Sequence, residues 1–309
     1  MNMKKKNFFD YIILLRPTLF PPFWLTYLLG VYYSNGDFNL KAFFGIILFT
    51  FMMGGVYILN QIVDIETDRL NRKLFLLSDG YIKEKEAIYY MLIIFSFTIP
   101  FSFILGKNFG LIFLLSYFVG IAYSIYPFSF KDKPILDMLS NGLGYGTLSF
   151  LLGWSISRDI NLDAFIRTLP YFFAVSAVFL NTTIPDIPGD KRIGKITTGI
   201  FLGKKLTLLL ALIFDIISLL ISILINDKIC IFASACSLPL FLISFIKPEK
   251  NFIFYSIRVN PLFLTFAVIF IYPLFIIPLF LVYFFQKIYY KKRFNINYPS
   301  IKSGIDADF

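Results

Sequence analysis

Two acidic clusters hold the chemistry legible in this sequence: Asn60-Gln-Ile-Val-Asp64-Ile-Glu-Thr-Asp68 and Asp186-Ile-Pro-Gly-Asp190. Each follows an apolar run and precedes a basic loop. Asn60, Asp64 and Asp68 are spaced i, i+4, i+8, and on an α-helix each such step drifts by only about 40°, so a continuous helix would carry all three on one face. An amide and two carboxylates on one stripe offer hard oxygen donors to Mg²⁺, which takes one or two carboxylates together with phosphate oxygens. Asp186 and Asp190 repeat the i, i+4 spacing, but Pro185, Pro188 and Gly189 predict that the helix ends near Thr183, with the acids on a kinked extension or turn.

Charge counting narrows the ligand. Two Mg²⁺ ions would neutralise Asp64, Asp68, Asp186 and Asp190, and a diphosphate ester would still bring about three negative charges at neutral pH. Cations stand ready near each cluster: Arg72 and Lys73, Lys131 and Lys133, then Lys191, Arg192 and Lys195. The plainer reading is that Arg69 and Arg72 balance a solvated helix end, and that at least half of these cations serve only to orient the protein in a membrane. In Tyr123-Ser-Ile-Tyr-Pro127-Phe-Ser-Phe-Lys131, an aromatic ring and a cation share one helix end. Tyrosine there anchors a membrane interface, or lends a π-face to a developing carbocation.

These residues must be positioned by membrane-spanning helices. The 309 residues are 58% hydrophobic and 16% charged, and no polar stretch is long enough to form a soluble domain. A span needs about 20 mostly apolar residues. Nine are expected, roughly at 17–33, 42–63, 87–106, 109–126, 135–154, 164–185, 205–226, 229–246 and 261–286. The expectation is an all-α integral membrane protein of about nine transmembrane helices. It forms one transmembrane domain over 1–309, with a basic N-terminus (1–16) and a C-terminal tail (287–309).

With the N-terminus inside, 19 of the 29 Lys and Arg fall on the cytoplasmic side and five on the external loops. Both acidic clusters are then cytoplasmic. The tail dissents: Lys287, Lys291, Lys292, Arg293 and Lys302 would lie outside after nine spans. Either the earlier loops overrule this block, or the span count is off by one. The net charge of +10 fits orientation and anionic lipid headgroups rather than nucleic acid. Histidine is absent, which removes imidazole as base or ligand, and the two cysteines (Cys230 and Cys236) form no disulfide framework. No cleavable signal peptide is expected, because Arg16-Pro17 and Pro21-Pro22 interrupt the first apolar run.

Taken together, the motifs resemble the UbiA superfamily of intramembrane prenyltransferases, and the resemblance implies a fold of about nine helices bundled around a central cavity. The resemblance rests on Leu15-Arg16-Pro17, Asn60-x3-Asp64-x3-Asp68, Tyr123-Ser-x-x-Pro127-x-x-x-Lys131, and Asp186-x-x-Gly189-Asp190-Lys-x-x-Gly194-Lys195-x-Thr197. It implies that Asn60, Asp64, Asp68, Asp186 and Asp190 bind Mg²⁺ and, through it, a prenyl diphosphate. Lys131, Arg72, Lys191 and Lys195 would hold the diphosphate, and Tyr123 would line the chamber. The implied reaction ionises an allylic carbon–oxygen bond and passes the cation to a lipophilic or aromatic acceptor. One stretch departs from the family's pattern: Asn71-Arg72-Lys73-Leu74 lacks the usual second arginine and both prolines. That puts the diphosphate clamp and the acceptor type in question.

Two rivals share the features. A terpene cyclase on the same scaffold would ionise the donor without an acceptor. A cation-coupled transporter would carry acids near mid-span rather than at helix ends beside basic loops. Asp215 in the seventh span reads as a buried structural pairing or an acceptor contact. Asn141, among Gly142, Gly144 and Gly146, faces the cavity or marks close helix packing.

Overall fold

The computed structural model describes residues 6–70, 75–192 and 194–299, and every regular element among them is helical. In chain order these are α1 (Phe8–Leu14), a 3₁₀ turn (Pro17–Leu19), α2 (Phe20–Tyr33), α3 (Leu40–Val63), α4 (Ile65–Leu70) and α5 (Phe75–Ser78). Then come α6 (Glu84–Ile104), α7 (Lys107–Ser124), α8 (Leu136–Asn141), a π-helical segment (Gly142–Leu148) and α9 (Ser149–Trp154). The rest are α10 (Leu162–Arg192), α11 (Thr198–Leu224, bent at Gly203), α12 (Lys228–Ile246), α13 (Lys250–Ile271) and α14 (Ile276–Phe294).

Among the described residues, nine helices are long and apolar enough to cross a membrane, as expected, but the set differs from the one read in the sequence. The expected ninth span, 261–286, is two helices. The chain leaves helical geometry at Tyr272 (φ −123°, ψ 78°) and Pro273 restarts it, so 250–271 and 273–294 each have spanning length. Proline suits the first turn of a helix, where its missing N–H leaves nothing unpaired. The expected fifth span, 135–154, is interrupted by the π-helical segment yet still runs the length of the bundle. At one end, Asp137 accepts from the Thr198 backbone N–H; beyond the other, the Ile156 carbonyl accepts from Lys41 Nζ.

Ten crossing segments therefore bring both termini to one end of the bundle, which resolves the dissenting charge block of the tail. The contacts agree. Asp10, fully buried in α1, accepts from Tyr289 Oη and from Arg293 Nη2 at 2.9 Å, both on α14. The Phe294 ring meets those of Phe75 and Tyr81, in and after α5. Charge and packing put the basic end of α14 beside the N-terminus and the acidic loops.

Small residues let the helices close around an interior. A Cβ on Gly30 of α2 would sit 2.0 Å from the Phe150 carbonyl oxygen, and one on Gly153 of α9 only 1.9 Å from that of Tyr27. These two glycines fix a backbone-to-backbone crossing. Gly142 and Gly146 of the π-helical segment likewise abut Ser176 and Phe172 of α10. The helix α10 itself corrects an expectation: it runs through Pro185 and Pro188 to Arg192 instead of ending near Thr183. Packing replaces the backbone hydrogen bonds the prolines remove, since Ile184 and Ile187 pack with Leu208 of α11 and Ile253 of α13.

Candidate active site

A cavity of about 590 Å³ opens inside the bundle. Its walls are apolar over most of their length, with Leu25, Phe49, Met53, Val119, Val178 and Leu264 contributed by five helices. Polar groups gather at the end nearest the termini: Asn60, Asp64, Lys131, Asp137, Asp186, Asp190 and Lys195.

Asp64 is the centre of that end. It follows the last residue of α3 with φ −98° and ψ 11°, so the chain leaves the span axis there, and its N–H still closes the helix onto the Asn60 carbonyl at 3.0 Å. The break divides the expected stripe. Asn60 and Asp64 line the cavity, whereas Asp68 rides on α4 outside the lining. Lys131 reaches Asp64 from the 3₁₀ turn Phe130–Asp132, with Nζ 2.7 Å from Oδ2 and both side chains nearly buried, at 7% and 16% exposure. Lys195 approaches the other carboxylate oxygen at 3.6 Å and Asp132 at 3.5 Å. Burial tends to lower the pKa of Lys195, but the charges of Asp64, Asp132 and Asp190 outweigh it, and the net shift is upward from 10.5. It stays cationic at any physiological pH.

The second cluster enters from α10, where Asp186 and Asp190 both face the cavity. Tyr123, on the last turn of α7, lines the wall together with Asn141. Asn60 Nδ2 donates to Ser124 Oγ at 3.2 Å, which leaves its carbonyl oxygen for a ligand. Lys191 lies exposed at the end of α10, outside the lining. Arg72 and the departing stretch 71–74 lie outside the described residues. Asn141 satisfies both of its readings, since it lines the cavity while its glycine neighbours pack on α10. Asp215 is fully buried and accepts from Ser237 Oγ at 2.9 Å, as the structural pairing requires.

Two lining residues went unremarked as site candidates in the sequence. Asp137 is 1% exposed and accepts from the backbone N–H of Thr198 at 2.8 Å and from its hydroxyl. It thereby ties the start of α8 to the start of α11 and holds the Lys195 loop in place. A carboxylate opening an apolar span was the available signal. The other is Arg16, which appeared only as part of Leu-Arg-Pro.

Among the described residues, no three Asp, Glu or Cys side chains converge tightly enough to hold a metal ion unaided. The donors are nonetheless all hard oxygens. A Mg²⁺ ion completed by phosphate oxygens and water needs only one or two carboxylates, so Asp64 with Asn60, and Asp186 with Asp190, suit it chemically.

A sequence model described as the UbiA prenyltransferase family matches residues 23–251. The digeranylgeranylglyceryl phosphate synthase of Methanosphaera stadtmanae is 29% identical over 69% of this chain and 76% of its own length. A probable chloroplastic homogentisate phytyltransferase 2 of Oryza sativa is 27% identical over 53% of this chain and 46% of its own. In three dimensions, a UbiA homologue from Archaeoglobus fulgidus bound to GPP and Mg²⁺ superimposes with a TM-score of 0.67 at 24% identity, covering 84% of this chain and 99% of that one. The last likeness speaks to the fold.

Proposed function

This chain belongs to the UbiA prenyltransferase family, and on that premise we propose that it moves a prenyl group from a prenyl diphosphate, held with Mg²⁺ at the Asp64 end of the cavity, to a lipophilic acceptor. The observation that carries this reading is Asp64 clasped by Lys131 and Lys195 while facing Asp186 and Asp190, at the polar end of an otherwise apolar cavity.

Asn60, Asp64, Asp186 and Asp190 would hold the metal. Bound there, Mg²⁺ supplies positive charge to the departing diphosphate. Lys131 and Lys195 are the ammonium groups nearest Asp64, and phosphate oxygens arriving beside it come within their reach. Tyr123 presents its ring to the chamber where the allylic carbon would carry positive charge. The apolar walls accept the isoprenoid chain and keep water from the cation, leaving the acceptor as the available nucleophile. Asp68 and Lys191 complete the proposed set from outside the cavity lining, and Arg72, which lies outside the described residues, belongs to it by its place in the motif.

The relatives divide over the acceptor, one named for a glyceryl phosphate and one for homogentisate. The archaeal-type relative spans more of this chain, which favours a glycerophosphate-bearing lipid. The Lys and Arg bias favours a cytoplasmic N-terminus and polar cavity end, in an integral membrane protein whose tail returns to that side.

The test is diphosphate release by purified protein in nanodiscs. Geranyl, farnesyl and geranylgeranyl diphosphates would be supplied with glycerophosphate and aromatic acceptors, with Mg²⁺ or with EDTA. Release should need Mg²⁺ and vanish in Asp64→Ala and Asp186→Ala. Undiminished release in both variants would refute the assignment. The mass of the lipid product separates transfer from cyclisation.

A further inference from the structure

Arg16 lines the cavity but has no part in the reaction drawn above. Its backbone is left-handed, with φ 56° and ψ 60°, between α1 and the 3₁₀ turn. Only a few per cent of non-glycine residues adopt that conformation, and a following proline biases its predecessor toward extended backbone instead. The conformation persists because the Arg16 N–H donates to the Ile13 carbonyl at 2.9 Å while its own carbonyl accepts from Leu19 N, also at 2.9 Å. Strain kept this way clusters at ligand sites. Here it accompanies a residue that lines the cavity.

That side chain is half-buried, and among the described residues it makes no hydrogen bond or ion pair. The groups whose electrostatics it touches are phenols, those of Tyr57, Tyr145 and Tyr290. Other part-buried cations at this end of the bundle have carboxylate partners: Lys131 and Lys195 on Asp64, and Arg293 on Asp10. A sheltered guanidinium with no counter-charge is costly unless a ligand supplies one.

Depth along α3 sets Arg16 at the inner edge of the diphosphate end, level with Asn60 rather than with Asp64. The Leu14 carbonyl accepts from Gln61 Nε2 at 2.8 Å and the Leu19 carbonyl from Tyr57 Oη at 3.3 Å. Arg16 therefore lies level with residues 57–61, about 5–10 Å along the helix from Asp64 at 1.5 Å per residue. We propose that Arg16 binds an oxyanion carried by the acceptor, a phosphate or a carboxylate, and so holds the acceptor's nucleophilic atom toward the allylic carbon. This rests on the prenyl-transfer reading and deepens it. The span of 5–10 Å selects acceptors whose anion lies only a few bonds from the nucleophile, and a guanidinium fork matches either oxyanion bidentately.

The experiment measures binding with the donor site already filled. Detergent-solubilised protein is saturated with Mg²⁺ and geranyl thiodiphosphate, a slow-ionising donor analogue, then titrated calorimetrically with dodecyl phosphate, dodecanoate or dodecanol. Arg16→Asn is the chosen variant, because asparagine tolerates left-handed backbone while removing the charge. Arg16→Lys keeps the charge without the fork. Wild type should bind one or both anions more tightly than dodecanol, and whichever is tighter identifies the oxyanion. Arg16→Asn should lose about 10- to 100-fold for that anion, with little change for dodecanol or for the donor analogue. Arg16→Lys should recover part of the loss. Unchanged anion affinity in a folded Arg16→Asn protein would overturn the proposal. So would a loss confined to the donor analogue, which would assign Arg16 to the diphosphate. Failure of wild type to bind geranyl thiodiphosphate at all would instead refute the donor site, a separate result.

Discussion

Removing Lys131 separates the two roles its ammonium can have. The group lies 2.7 Å from Asp64 Oδ2, with both side chains nearly buried, and among the described residues Lys195 is the second cation on that carboxylate, at 3.6 Å. Taking one partner from a fully buried pair costs roughly 3–5 kcal/mol, because the remaining charge is stranded. Here the longer Lys195 contact and the open cavity beside Asp64 lower the figure, to about 1–3 kcal/mol. Lys131→Met should therefore lower the melting midpoint of the metal-free protein. In the same background, Asp64→Asn should restore much of that loss, since it removes the stranded charge. Activity should behave differently. A charged hydrogen bond to the diphosphate is worth about 1.5–3 kcal/mol, so kcat/KM for the donor should fall about 10- to 150-fold in Lys131→Met. The double variant should stay inactive, because Asp64 is gone. The assay pairs thermal melts in one detergent with donor titrations in nanodiscs. Two results would refute the reasoning: stability costs that simply add in the double variant, or donor kcat/KM within threefold of wild type in Lys131→Met.

Other consequences follow from contacts elsewhere in the bundle. Asp10→Ala removes the buried carboxylate that Arg293 and Tyr289 Oη share; it should cost about 2–4 kcal/mol and speed proteolysis at the α14 end, read by gel and mass spectrometry. Gly153→Val drives a side chain into the Tyr27 carbonyl, and should abolish folded protein on size-exclusion chromatography, whereas Gly144→Ala, with open space around its Cβ position, should leave it intact. Lys195 titrates above 10.5 in the folded protein, so its contribution to stability is complete below 10.5 and fades only as pH rises beyond that. Donor binding followed from pH 6 to 9 should show no step that Lys195→Met abolishes, and such a step would contradict the assignment.

The amino-acid sequence by itself determined the membrane class, most of the spans and the chemistry of the site. Apolar runs of spanning length have few other stable fates, and carboxylates beside basic loops stand out against so apolar a chain. Asn60, Asp64, Tyr123, Lys131, Asp186, Asp190 and Lys195 were all readable in this way, and all line one cavity. Spacing could not say where a helix breaks. The turn at Asp64 takes Asp68 out of the lining, and the break at Tyr272 adds a crossing that returns the tail to the N-terminal end. Prolines misled in the other direction at Pro185 and Pro188, where packing on α11 and α13 sustains the helix. Asp10, Asp137 and Arg16 acquire meaning only from partners distant in the chain, or from having none, because local sequence does not specify what the opposite wall of a bundle presents. Tertiary structure decided those roles, since helix packing alone sets which buried charges meet and which are left facing the cavity.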